Sequence, residues 1–182
     1  MRIFITVLVL IFSLQSLSKA DDIYDFEIDG LSIGESILDH FNKEGIEREK
    51  AQYYKSNKFG SISFSSIDEQ YDGIQVSWKT SDKNYKIVGI SGEVHQTDIN
   101  DCYKKMDKVS KELAEIFKIK PDKKYSNPQP YGLYTYISFY FDSGNEASVS
   151  CYDYEDKFEY KDNFRISLDT KEFRDWIDNE AY

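Results

Sequence analysis

The sequence predicts an α+β fold in two layers, with an antiparallel sheet that carries helices on one face. Apolar residues recur with helical spacing over 99–117, which is typical of an amphipathic helix. Several other runs alternate apolar and polar residues between short polar turns, as half-buried antiparallel strands do. The expected order is helix and three strands, again helix and three strands, then a helix. The 182 residues therefore predict a leader followed by one α+β domain, 21–182, in two structural halves, about 21–96 and 97–182.

The first twenty residues have the pattern of a secretory signal peptide. Arg2 gives a short positive region, and an apolar run extends from Ile3 to Leu17. Small residues precede the expected cleavage between Ala20 and Asp21 at the positions that signal peptidase requires. The alternative is a membrane-anchored helix, but the run is shorter than the roughly 20 apolar residues of a typical span. We expect a periplasmic or secreted protein that is not inserted in a membrane after cleavage.

The net charge of the chain excludes some partners. It has 33 acidic and 23 basic residues, for a net charge of −10, which becomes −12 without Arg2 and Lys19. Nucleic-acid binding and attraction to an anionic membrane both need a surplus of Lys and Arg, so neither is expected. Aromatic residues make up 16% of the chain, which is too many for a disordered protein. We expect an acidic, folded protein that binds a protein or small-molecule partner.

The first half begins with a capping box, Ser32-Ile33-Gly34-Glu35, which predicts a helix that ends near Gly45. Its apolar face would contain Ile33, Ile37, Leu38 and Phe41. Three strands should follow, with a polar turn at 81–84 between the last two: Phe59–Ser65, Gly73–Thr80 and Tyr85–His95.

The second half begins with a long helix through Phe117, which Asp98 or Thr97 should cap. All three prolines fall in Lys120–Pro130, which we interpret as a loop. Asp169 and Glu172 should cap the final helix. The strands predicted between this loop and that helix are Gly132–Phe141, Ala147–Tyr154 and Phe164–Leu168.

Cys102 and Cys151 are the only cysteines and form a candidate disulfide. Helical spacing puts Cys102 on the buried stripe of the long helix, and alternation puts Cys151 on one strand face with Ala147 and Val149. An oxidising compartment would allow the two to pair. The alternative is two buried thiols that do not meet, because buried cysteine is common.

No catalytic motif or cofactor-binding loop is found, and no catalytic residue or cofactor is assigned. His40 and His95 are the only histidines, and they lack catalytic or metal-ligand spacing. The acidic residues Asp153, Glu155 and Asp156 are a weak candidate for Ca²⁺, but the glycine that sharpens a calcium loop is missing. A solvated acidic loop is the favoured interpretation of this segment.

Five tyrosines are expected to share one face of the second set of strands. Alternation separates them from the apolar residues Leu133, Ile137, Phe139 and Phe141, which face the other way. They either stabilise the sheet by cross-strand pairing or form a binding platform, and the first interpretation is favoured. These candidate ligand-binding residues are Tyr134, Tyr136, Tyr140, Tyr152 and Tyr154.

Four segments carry a resemblance: Asp29–Ser36, Asp101–Lys105, Ser150–Asp153 and Asp169–Ile177, with the paired cysteines as the most specific part. They resemble a family of small exported proteins from AT-rich marine alphaproteobacteria. This resemblance implies export and a shared fold, but no activity. The order of elements is also similar, in architecture only, to the β-lactamase-inhibitor protein and outer-membrane-assembly small lipoprotein folds, so their functions do not transfer.

The sequence thus favours an exported, non-catalytic module that binds a ligand or a protein. Two alternatives stay open: a hydrolase that uses carboxylates or a bound cation, and an envelope protein with a structural or folding-assistance role. Two inward-facing carboxyls with raised pKa values in an enclosed cleft would favour the hydrolase.

Overall fold

The computed structural model describes residues 22–51, 54–66 and 69–181. The predicted signal peptide and its cleavage site lie outside these residues. Nine strands and three α-helices form the described part: β1 (Glu27–Ile28), β2 (Leu31–Ser32), α1 (Lys43–Glu49), β3 (Phe59–Phe64), β4 (Gly73–Lys79), β5 (Ile87–His95), α2 (Ile99–Phe117), β6 (Tyr125–Gln129), β7 (Gly132–Tyr140), β8 (Glu146–Tyr154), β9 (Asn163–Asp169) and α3 (Lys171–Asn179).

Seven strands form one antiparallel sheet in the order β3-β4-β5-β9-β8-β7-β6. The last strand, β9, pairs with β5 on one side and with β8 on the other. The strands before α2 and those after it are therefore joined by continuous backbone hydrogen bonding. The predicted α+β architecture, with helices packed on an antiparallel sheet, is confirmed.

The first face of the sheet is covered by α2 and by the N-terminal segment. Asp98 caps α2 by accepting a hydrogen bond from the backbone of Asn100, as the sequence predicts. The buried stripe of this helix packs on the inward residues of β7, β8 and β9. Ile23, Ile28 and Leu31 fill the same core over the strands of the first half.

The second face carries α3, so the helices lie on both faces of the sheet and not on one face as the sequence predicted. Phe173 and Trp176 pack on Phe59 in a separate apolar cluster. A Cβ atom at Gly89 would lie 2.5 Å from the ring of Phe173, so this glycine allows the helix to approach β5 closely. Both faces carry a helix because the chain turns from the end of β9 directly into α3, which packs on the second face.

The predicted first helix is wrong. Gly34 donates to the carbonyl of Ile87, and the amide of Ile87 donates to the carbonyl of Glu35, so this segment bonds to the start of β5. One 3₁₀ turn, Ile37–Asp39, forms where the helix was expected. The Glu35 side chain does accept from the amide of Ser32, which is half of the predicted capping box. Gly45 lies inside α1 rather than at a helix end.

Two further boundaries differ from the prediction. The proline-containing segment forms β6, which pairs only with β7 at the edge of the sheet, where Pro128 is tolerated. Asp169 is the last residue of β9, and Thr170 takes the N-cap position of α3.

Among the described residues, no helix has the length and apolar character needed to span a membrane.

Candidate functional site

Strand alternation places the five predicted tyrosines on the second face of the sheet. In the register of β7 and β8, Tyr134 lies directly opposite Tyr152, and Tyr140 lies opposite Glu146. The odd-numbered neighbours, such as Ile137 and Val149, point into the core beneath α2. We call Tyr134, Tyr136, Tyr140, Tyr152 and Tyr154 the groove tyrosines, because all five line the cavity described below.

Four of the groove tyrosines form a continuous row of ring contacts. The ring centroids are 5.0 Å apart for Tyr136 and Tyr134, 4.5 Å for Tyr134 and Tyr152, and 5.8 Å for Tyr152 and Tyr154. Tyr125 on β6 and Tyr160 extend the row at its two ends. These last two rings were not predicted from the sequence, because their segments were expected to be loops.

A groove of about 660 Å³ lies between these tyrosines and α3. The tyrosines form one side, and Arg174, Ile177 and Asp178 of α3 border the other. Ser148 and Ser167 pair across β8 and β9 and line the groove between the two sides. Because serine side chains are short, the sheet surface between the aromatic side and the helix stays low, and this gives the groove its depth.

Two carboxyl groups lie side by side at the α3 end of the groove. Glu146 begins β8 and Asp169 ends β9, and the two are paired directly across these strands. Neighbours of this kind have Cβ atoms about 4.5–5.5 Å apart. We refer to Glu146 and Asp169 as the carboxyl pair.

The two members of the carboxyl pair differ in their hydrogen bonding. Glu146 accepts a hydrogen bond of 2.5 Å from the hydroxyl of Ser138, and its other oxygen lies 3.8 Å from Nε of Arg174. The carboxyl of Asp169 has no hydrogen bond or ion pair with any residue in the described ranges. A negative charge on Asp169 would therefore be less compensated by neighbouring groups than one on Glu146.

Burial shifts the protonation of both carboxyls in the same direction. It raises the pKa of Glu146, although the Ser138 hydroxyl and Arg174 oppose this change. Burial, reinforced by the charge of Glu146, raises the pKa of Asp169 to about 8. At neutral pH Asp169 therefore holds a proton, and the groove contains a carboxylic acid that can donate a hydrogen bond or release a proton.

Two arginines already lie against groove tyrosines. The guanidinium carbon of Arg165 is 5.1 Å from the ring centroid of Tyr152, and that of Arg174 is 5.3 Å from Tyr140. Arg165 is also bound to Glu93, at 2.6 Å. Both contacts are cation–π interactions, in which a positive charge lies over the electron-rich face of an aromatic ring.

Four of the groove tyrosines have pKa values raised above the ordinary value for tyrosine. Burial raises the pKa of Tyr134 well above its ordinary value and also raises the pKa values of Tyr136, Tyr140 and Tyr154. These side chains supply aromatic surface and neutral hydroxyl groups. Asp169, with a pKa of about 8, is therefore the groove residue that we expect to titrate near neutrality.

The weak metal candidate is not assembled. Asp153 points toward the α2 side of the sheet, where Tyr103 donates to it, and Glu155 pairs with Lys157 at 2.5 Å. In the described part of the chain, no three His, Cys, Asp or Glu side chains are grouped so that they could hold a metal ion. His95 lies outside the groove, 3.7 Å from Asp72 and 3.8 Å from Glu93.

Cys102 and Cys151 are at disulfide distance, with their Sγ atoms 2.02 Å apart. Both side chains are fully buried and connect α2 to the middle of β8. Because Cys151 faces the core, its neighbour Tyr152 faces the groove. The disulfide candidate therefore lies directly behind the row of tyrosines.

The carboxyl pair and Arg174 were not predicted from the sequence. Asp169 was interpreted as a helix cap, which is a common role for aspartate before a helix. The usable signal was strand alternation: the residues at 163, 165, 167 and 169 share the face of the tyrosines. Glu146 fell just outside the predicted strand, in the turn after Phe141.

Comparisons with family models, with curated protein sequences and with solved structures found no match to this chain. The resemblance to a family of exported proteins therefore stays a prediction. The function must be argued from the groove itself.

Proposed function

We propose that this protein is an exported binding module whose ligand occupies the groove between the groove tyrosines and α3. The observation that carries the proposal is the combination of a row of tyrosine rings with a carboxyl pair in one cavity of about 660 Å³. Small-molecule sites are typically concave, of about 300–1,000 Å³, and lined by aromatic groups with a few polar ones.

Tyrosine suits such a site for physical reasons. Each ring offers a large contact area with only two side-chain torsions to restrict, so binding costs little conformational entropy. Here the rings already pack on one another, with Tyr134 enclosed between Tyr136 and Tyr152. A ligand would therefore meet a surface that is ordered before it binds.

Export is supported by the leader-like N-terminal sequence and by the cysteine pair. Disulfides persist in oxidising compartments and are rare in the cytosol. The Cys102–Cys151 pair is weakly consistent with an oxidising compartment outside the cytosol.

The competing explanation is that the tyrosines only stabilise the sheet, since cross-strand aromatic pairs do this at about 0.2–1 kcal/mol each. We would therefore replace Tyr136 and Tyr152 by Ser, separately, and use Tyr24→Ser as the control. Tyr24 is 52% exposed and does not line the groove.

Binding of aliphatic diamines, oligosaccharides and short peptides would be followed by isothermal titration calorimetry, with thermal unfolding measured in parallel. Loss of binding in the two groove variants, but not in Tyr24→Ser, supports a site. Loss of stability alone, with binding unchanged or absent throughout, supports the structural explanation.

A second candidate function is a carboxylate-dependent hydrolase, and the carboxyl pair favours it. A protonated Asp169 beside a Glu146 with a smaller pKa shift has the elements of an acid and a base. Turnover of ester or glycoside substrates that is lost in both Asp169→Asn and Glu146→Gln would support this activity. Its absence across such substrates would leave the binding module as the proposal.

A further inference from the structure

The ionisable groups that face the groove are mostly acidic. Glu146, Asp169 and Asp178 border it, while Arg174 is its one basic lining residue in the described part of the chain. Asp153 also lines the groove, but its carboxyl contacts Tyr103 on the other face and does not contribute. When these carboxyls are ionised, the groove carries a net negative charge.

Arg174 compensates this negative charge only in part, because its terminal donors are directed elsewhere. One terminal nitrogen donates to the carbonyl of Gly144 at 2.9 Å, and the other donates to Asp175 at 2.7 Å. Its Nε is 3.8 Å from Glu146, beyond hydrogen-bond distance. Arg174 is thus used to hold α3 against the turn before β8.

Asp169 has no partner of its own in the described residues, although it lines the groove. The charged groups around it are Glu146 on β8, Arg174 and Asp178 on α3, and Arg165 on its own strand. On the β5 side it faces Gly89, which carries no side chain. Asp169 is partly buried but lines the groove, so a cation that enters can reach its carboxyl, and the surrounding protein reduces the competition from water.

The aromatic side of the groove also favours positive charge. Tyr152 and Tyr140 already hold guanidinium groups at 5.1 and 5.3 Å. Tyr134, Tyr136 and Tyr154 add further ring surface along the same side, against which apolar methylene groups can pack. From Glu146 to Tyr152 the groove follows six residues of one strand, or about 20 Å.

From this arrangement we propose that the groove binds a linear aliphatic amine, with one ammonium group at the carboxyl pair and the methylene chain along the groove tyrosines. This inference rests on the proposed function and specifies the chemical class of its ligand. Neutral saccharides and uncharged chains of equal length are the alternatives that the experiment distinguishes.

Binding of this ligand is coupled to loss of a proton. In the free protein Asp169 is protonated at pH 7, and the arriving ammonium group favours its ionised form. The Asp169 carboxylic acid then releases its proton to the buffer and forms a carboxylate–ammonium pair. Affinity should rise as the pH approaches about 8 and level off above it, since an aliphatic amine stays charged to about pH 10.

The experiment compares 1,6-diaminohexane with 1,6-hexanediol, which has the same chain without the charges. Calorimetric titrations in buffers of different ionisation enthalpy measure both the dissociation constant and the number of protons released. We expect the diamine to bind at least about tenfold more tightly than the diol at pH 8. At pH 7, close to one proton should be released per ligand.

Asp169→Asn should weaken diamine binding at pH 8 by about tenfold or more and abolish proton release. Glu146→Gln should weaken binding and reduce proton release at pH 7 without abolishing it, because the charge of Glu146 supplies only part of the rise in the Asp169 pKa. The matched control is Asp101→Asn, which changes the charge equally on the exposed side of α2, where Asp101 pairs with Lys104. Thermal unfolding of each variant verifies that it is folded.

Equal binding of diamine and diol, or a diamine affinity that Asp169→Asn leaves unchanged, overturns the inference. Maltotriose is included as the neutral saccharide. If maltotriose binds and Tyr152→Ser abolishes this, while the diamine does not bind, the amine inference fails and the groove remains a binding site. If no ligand binding depends on the tyrosines, both proposals fail.

Discussion

The two faces of β7, β8 and β9 are built from alternate residues of the same strands, yet they differ in burial and in polarity. The α2 face is closed and apolar, with Phe139, Val149 and Cys151 fully buried. The groove face carries tyrosines, serines and charged groups and borders the groove of about 660 Å³. Since the same backbone supports both, the difference comes from the side chains alone.

This contrast indicates where stability and function are located. Side chains on the α2 face are surrounded by protein, so removing one leaves a cavity. The groove tyrosines on the other face are only partly buried, and removing one enlarges a space that already exists. Stability should therefore depend mainly on the first face, and ligand binding on the second.

The largest effect is expected for Phe139→Ala. This ring is fully buried and packs on Phe117 with centroids 5.3 Å apart. We expect a loss of about 3–5 kcal/mol in the free energy of unfolding, measured by chemical denaturation. The control is Tyr140→Ala, the next residue on the groove face, which is 47% exposed and should cost far less. Equal losses would contradict the contrast between the faces.

Removal of the disulfide should have the next largest effect. The pair closes a loop over a sequence separation of 49 residues, for which the chain-entropy model gives a stabilisation of up to about 4 kcal/mol. We expect Cys102→Ala combined with Cys151→Ala to lower the unfolding free energy by about 2–4 kcal/mol. Mass spectrometry after alkylation of the unreduced protein checks the bond itself, because two added labels would show free thiols.

Patterns with a regular period predicted the fold well. The apolar stripe of α2 and its Asp98 cap were correct, and six of the sheet strands were placed within a few residues. The facing of the groove tyrosines followed from alternation alone. In these segments the local preference and the tertiary structure agree.

Interactions between distant segments could not be predicted in this way. The expected first helix is replaced because Gly34 and Glu35 form backbone hydrogen bonds with Ile87, more than fifty residues away. Asp169 resembles a helix cap in sequence, and only pairing of β9 with β8 brings it beside Glu146. The local pattern was insufficient in both cases because a distant strand determined the outcome.

The third expected effect has the opposite sign, because Asp169→Asn should stabilise the protein at alkaline pH. Asp169 holds its proton to about pH 8 in the folded state, whereas its ordinary pKa is 3.8. Between these values the folded state binds more protons than the unfolded state, so this group lowers stability as the pH rises.

At pH 9 we expect Asp169→Asn to raise the unfolding free energy by about 1–3 kcal/mol, because water in the groove relieves part of the cost of the buried charge. Near pH 4 the difference should be small. Denaturation curves at several pH values measure this, and a stabilisation that does not depend on pH would contradict the assigned cause.

The smallest expected effect is that of Tyr136→Ser, and its adjacent residue Ile137, on the opposite face, provides the comparison. Ile137 is 7% exposed and packs in the core under α2, while its neighbour Tyr136 points into the groove and stacks on Tyr134 and Tyr125. Ile137→Ala should cost about 2–5 kcal/mol by leaving a cavity, whereas Tyr136→Ser should cost about 0.5–1 kcal/mol through lost cross-strand contacts.

Denaturation of both variants, with ligand binding measured beside it, decides what the row of tyrosines is for. If Tyr136→Ser costs as much as Ile137→Ala, the tyrosines form a second core, and the groove is a consequence of how they pack. If the cost is small and binding is lost, the chain keeps ordered aromatic surface at a place where stability does not require it. A binding function is then the physical reason for that surface.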